Sequence, residues 1–183
     1  MFTGEPNLDG RENMATGEFF VKTAYGGDDG AGSFIRPVGV AIDNHADSMY
    51  ISDETANTVS VIERSTGNIT TLSMAEETET VSLNRPTHLF SSYVSSTLYI
   101  SDTGNHRILQ VSSGSGLMYP FAGNEQGSTA NGVIVTNASI PSPSGLWGDV
   151  TDEFLFYSDE DSHRVRQIDL TTLTITDFAG QYG

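Results

Sequence analysis

The sequence predicts an all-β protein made of repeated four-stranded antiparallel sheets, and three observations carry that prediction. A short motif recurs: Tyr50-Ile51-Ser52-Asp53, Tyr99-Ile100-Ser101-Asp102 and Phe156-Tyr157-Ser158-Asp159, with the aspartates 49 and 57 residues apart. Each copy sits in the same frame. A proline (Pro37, Pro86, Pro143) opens an apolar stretch, a polar turn follows, and then come the aromatic stretch ending in Ser-Asp, a second turn and two more short apolar stretches. The last apolar residue of each frame, Leu72, Phe121 or Phe178, stands 19 residues after its aspartate in all three. Only the connection to the next proline changes length, as surface connections do. A period near fifty with four short strands per unit reads as the blades of a β-propeller. A β-α solenoid would need apolar residues at helical spacing. The one window with any such spacing, Ser73 to Leu83, is acidic and Thr-rich.

Residues 1–16 are polar and Gly-containing and read as a terminal tail. The propeller segment is expected over 17–183. Within it, Glu18 to Gly27 reads as the last strand of a blade whose other strands are absent. Complete blades are expected at approximately 36–74, 85–123 and 142–180. The acidic run Glu76-Glu77-Thr78-Glu79 lies in the first connection and reads as a solvated loop. Residues 124–141, rich in Gly, Asn and Ser, form the second connection. Propellers close with about 4–8 blades, so three complete units imply a portion of a longer propeller. Self-association through the open faces is the alternative.

Eight basic residues against twenty-four acidic ones give a net charge of −16. That balance opposes contact with nucleic acid, whose affinity comes from Lys and Arg neutralising phosphates, and opposes anionic membranes too. It favours basic partners. No cysteine is present, so there is neither a disulfide framework nor a thiolate metal site. No run of apolar residues is long enough to cross a membrane, and no secretory leader pattern opens the chain. A cytoplasmic location fits these features.

The second copy carries a more specific pattern. Leu98-Tyr99-Ile100-Ser101-Asp102-Thr103-Gly104-Asn105-His106-Arg107-Ile108, with Pro37-x-Gly-x-Ala-x-Asp43 upstream of the first copy, resembles the NHL repeat. The Gly-rich connection from Phe121-Ala122-Gly123 to Pro143-Ser144-Gly145 is similar to that family as well. The resemblance covers residues 17 to 183 and implies blades of a six-bladed propeller that serves as a binding platform. The first copy departs from it, with Thr58 where Arg107 and Arg164 stand.

The repeat also decides how single residues are read. Asp102 with Arg107, and Asp159 with Arg164, lie five apart across a turn, a spacing that lets a carboxylate hold a guanidinium. A catalytic group is unique whereas a scaffold bond is copied with the repeat. Asp53, Asp102, Asn105, His106, Arg107, Asp159, His163 and Arg164 are therefore expected to be structural, with no catalytic residue among them. His88 is the one candidate metal ligand. It stands where the other units have Gly39 and Gly145, and a metal needs several ligands, so neither metal nor other cofactor is expected. Asp43, His45 and Asp47 crowd one turn without the rest of a calcium loop. Ser142 and Ser144 lack a nucleophile-elbow context. Trp147 is expected in the core. The function expected is non-enzymatic: blade-connecting loops that bind a protein or peptide. The alternative is part of a metal-dependent enzyme, similar to the zinc-dependent amidating lyases that the family resembles, or to a lactonase.

Overall fold

The protein is represented by a computed structural model, which describes residues 34–43, 45–75, 82–112, 116–123 and 129–180. The expected tail, the strand at Glu18 to Gly27 and the acidic run lie outside the described residues.

Fourteen strands are present among the described residues. They are β1 Pro37–Asp43, β2 Ser48–Asp53, β3 Thr58–Glu63, β4 Ile69–Thr71, β5 Ser73–Met74, β6 Pro86–Ser91 and β7 Leu98–Asp102. After these come β8 Arg107–Val111, β9 Leu117–Ala122, β10 Val133–Ile134, β11 Pro143–Gly148, β12 Phe154–Asp159, β13 Arg164–Asp169 and β14 Thr174–Gly180. They form three sheets, β1-β2-β3-β4, β5-β9-β8-β7-β6 and β10-β14-β13-β12-β11. Within each repeat, four sequential strands pair antiparallel as a meander. The protein is a stack of antiparallel propeller blades. Ser73 and Met74, expected inside the first blade, instead pair parallel with Leu117 and Met118 of the second. The second connection likewise is more than a loop, because Val133 and Ile134 pair antiparallel with β14.

Short polar residues shape the hairpin turns, and the repeat copies them. The residue ten before each motif aspartate accepts backbone N–H groups of its own turn. Asp43 takes those of His45 and Ala46, Ser92 those of Val94 and Ser95, and Asp149 those of Thr151, Glu153 and Phe154. The Asp43-His45-Asp47 crowding is thus turn chemistry of the Asx kind. At the other hairpin, Asn57, His106 and His163 all have φ between 54° and 57°. That left-handed conformation suits Asn and His better than most side chains, which explains why a histidine and an asparagine share one repeat position.

Each sheet has a forward face toward the next sheet in sequence and a rear face toward the previous one. Tyr50, Val59 and Leu72 of the first sheet pack in one core with Leu89, Leu98, Ile100 and Leu109 of the second. The same repeat positions one blade on, Tyr99, Ile108 and Phe121, pack in another with Leu146, Leu155 and Tyr157 of the third. The core therefore lies between sheets rather than within one. Trp147, expected in the core, is 63% exposed. It pairs with Phe156 across β11 and β12, and its ring lies 5.9 Å from that of Phe90 on the second sheet, at the border of the core that holds Leu146.

Candidate functional site

The motif aspartates end the second strand of each blade, opposite the proline that begins the first: Pro37 pairs with Asp53, Pro86 with Asp102 and Pro143 with Asp159. Each is buried and tied to the connection entering its own blade. Asp53 accepts the N–H groups of Ile35, Arg36, Thr55 and Ala56. Burial pushes the Asp53 carboxyl up, but these backbone donors outweigh it and hold its pKa below the ordinary carboxylate value. Asp102 accepts from the Asn84 N–H at 2.8 Å, from Asn105 Nδ2 at 2.8 Å and from Arg107 Nε at 2.7 Å. Asn105 Nδ2 also donates to the Ser82 carbonyl. Asp159 accepts the Ser142 N–H at 3.3 Å.

The expected Asp159–Arg164 pair is not the one that forms. Arg164 Nη1 is 2.9 Å from Asp177 Oδ2, and Arg166 Nε is 3.1 Å from Asp177 Oδ1. Asp177 follows Asp159 by eighteen residues, where the second blade has Pro120 and the first Thr71. The third blade thus supplies a competing carboxylate on β14 that the other two lack. Arg166 is almost fully buried and also donates to the Thr129 and Ala130 carbonyls, which ties β13 to the second connection. The fivefold spacing alone could not reveal this; an acidic residue facing two arginines across the β13–β14 pair could.

Around the same end of the stack, side chains lace one blade to the next. Asn57 Oδ1 accepts the Arg85 N–H at 2.8 Å, and His106 Nδ1 donates to the Pro141 carbonyl. Ser52 Oγ donates to the Thr87 carbonyl, and Ser101 Oγ to the Ser144 carbonyl at 2.8 Å. Glu54 clamps two exposed arginines, Arg36 at 3.0 Å and Arg85 at 3.1 Å. What this end displays therefore differs by blade: Arg36 and Arg85 first, His106 next, then exposed Glu160, Asp161 and His163.

Two clefts border the innermost strands. One of about 370 Å³ is lined by residues of β1 and β6, by Tyr93 and by Trp147. The other, about 220 Å³, contains His88 beside Gly145, Leu146, Trp147 and Phe156. His88 is exposed, and among the described residues no three His, Cys, Asp or Glu side chains converge on one point.

No family model matches the chain. The NHL repeat-containing protein 2 of Bos taurus is 32% identical over 88 residues, which is 48% of this chain. The chain is similar to an NHL repeat-containing protein. The chain spans only 12% of that relative's length. Among solved structures, a protein of unknown function from Bacteroides thetaiotaomicron superposes with a TM-score of 0.64 at 21% identity, over 80% of this chain and 36% of that one. An auxiliary nutrient binding protein from Bacteroides ovatus gives 0.61 at 20% identity, over 79% and 36%. Virginiamycin B lyase from Staphylococcus aureus gives 0.55 at 14%, over 79% and 41%. These likenesses show the propeller fold alone.

Proposed function

We propose that this NHL segment is a non-enzymatic interaction module whose blade-connecting turns bind a polypeptide of basic character. The observation that carries the reading is the division of labour at the motif end. All three motif aspartates are buried, and Asp53 and Asp102 are each held by several donors, so the frame is fixed, while the side chains it holds outward change from blade to blade. A rigid frame presenting variable loops is what recognition surfaces use. The net charge of −16 and the exposed Glu160 and Asp161 favour a cationic partner and steer its approach.

The test is calorimetric titration with lysine- and arginine-rich peptides carrying aromatic residues. Binding that weakens with added salt and is lost in a Glu160→Lys, Asp161→Lys double variant is expected. Peptides that bind neither variant nor parent, or that bind both equally, would reject the reading.

A further inference from the structure

The cleft of about 370 Å³ takes its walls from three consecutive blades, among them Val40, Ile42, Phe90, Ser91, Tyr93 and Trp147. That volume falls within the range of small-molecule sites.

Its aromatic side is built around Phe90. A Cβ at Gly148 would lie 2.2 Å from Phe90 Cε1, so glycine there lets the ring seat against bare backbone. Tyr93 meets that ring edge to face at 6.1 Å, and Trp147 lies across it at 5.9 Å and 48°. The turn holds Tyr93 in place. Ser92 Oγ accepts the Val94 and Ser95 N–H groups, and His45 Nε2 donates to the Tyr93 carbonyl at 2.9 Å. Tyr93 is still 43% exposed, although its blade packs against a sheet on either side.

Charge and polarity narrow what fits between these rings. The turns joining the first two strands of each blade lie at this end of the stack, opposite the motif aspartates. Residues 43–48, 92–97 and 149–153 hold Asp43, Asp47, Asp149, Asp152 and Glu153 and no lysine or arginine. Arg64 reaches Asp47 at 3.8 Å and offsets one of these charges. An acidic end with aromatic faces attracts a cation. Ser91, on the cleft wall, is 7% exposed, and its Oγ has no hydrogen-bond partner among the described residues. A buried hydroxyl left unpaired costs free energy that a polar group of a ligand recovers.

We propose that this cleft binds a small alkylammonium, a free amine protonated at neutral pH. Its N–H donates to Ser91 Oγ, its charge rests against Tyr93 and Trp147, and its carbon stem lies along Val40 and Ile42. The site is separate from the basic-polypeptide surface at the motif end.

Trp147 is the only tryptophan of the chain, so its fluorescence reads the cleft directly. Hexylammonium chloride is expected to change that emission saturably, and hexanol, the uncharged counterpart, to bind at least about threefold more weakly. Tyr93→Leu keeps the apolar bulk and removes the ring. It should weaken hexylammonium about three- to tenfold with unchanged circular dichroism. Ser91→Ala should weaken it about two- to tenfold while the thermal midpoint holds or rises, since the fold loses no hydrogen bond. The Glu160→Lys, Asp161→Lys double variant should bind the amine as the parent does, so a failure of peptide binding and a failure here are separate results. No saturable change in emission, equal binding of hexanol, unchanged affinity in the two cleft variants, or loss of binding in the double variant would each overturn the proposal.

Discussion

The second and third blades carry the same aspartate and arginine five residues apart, and only the second joins them. Arg107 lies against Asp102 at 2.7 Å, with side chains 8% and 0% exposed. In the third, Arg164 turns to Asp177, which it shares with Arg166. The difference teaches that a repeated pair is not a repeated bond. A guanidinium goes to whichever carboxylate leaves least charge unpaired, and in the third blade β13 buries a second arginine that also needs one.

The largest effect that breaks this comparison is expected from Asp102→Ala. It takes from Arg107 and from the N–H of Asn84 the carboxylate that both meet in a buried setting, which costs about 3–5 kcal/mol for a buried ion pair. Urea melts should show it, and a double-mutant cycle with Arg107→Ala should show strong coupling. Next comes Asp177→Ala, at about 2–3 kcal/mol, because Asp177 is itself 28% exposed. Its sharper consequence is that coupling between Asp159 and Arg164 should rise once the rival carboxylate is gone.

Asp53 has no arginine but four backbone donors, and Asp53→Asn should cost about 1–2 kcal/mol near neutral pH. Its effect has a pH signature. The folded carboxyl titrates below its unfolded value of roughly 3.9. Its contribution is therefore fully present above that value and is lost as pH falls through the depressed folded pKa. Acid melts of the parent should steepen there, and those of Asp53→Asn should steepen less. Asp159→Ala removes one long N–H bond and should cost on the order of 1 kcal/mol, with no coupling to Arg164. Smallest of all, Leu173 holds φ 54° where the other blades have Gly67 and Gly116. Leu173→Gly should stabilise by about 0.5 kcal/mol, the left-handed strain relieved less the chain entropy that glycine adds. A rise in thermal midpoint would check it.

The strands and their phase were legible because the prolines, the Ser-Asp ends and the offset of 19 recur in register. What the repeat did not convey is where one blade departs from the others. Arg164 was read through its spacing from Asp159, while its actual partner lies on the next strand, a contact set by sheet pairing. Trp147 reads as core by its apolar character, but it stands on the innermost strand, where its side chain borders a cleft and reaches Phe90 rather than entering the packed layer. Ser73 and Met74 follow the first blade in sequence yet belong to the second in space, because two residues give too short a pattern to assign to a sheet. What the repeat does make legible is that Asp53, Asp102 and Asp159 share one place, buried at the end of the second strand of each blade.

The short strands β5 and β10 have an effect on the order in which the chain meets itself. Each comes from the connection that precedes a blade and lies along that blade's last strand, β9 or β14. The last strand of a meander offers a row of unpaired N–H and C=O groups, a template on which other molecules can add. Here the cover is synthesised before the edge it protects. When β9 or β14 leaves the ribosome, a guard segment is already waiting, and part of the newly exposed edge can be sealed as it forms.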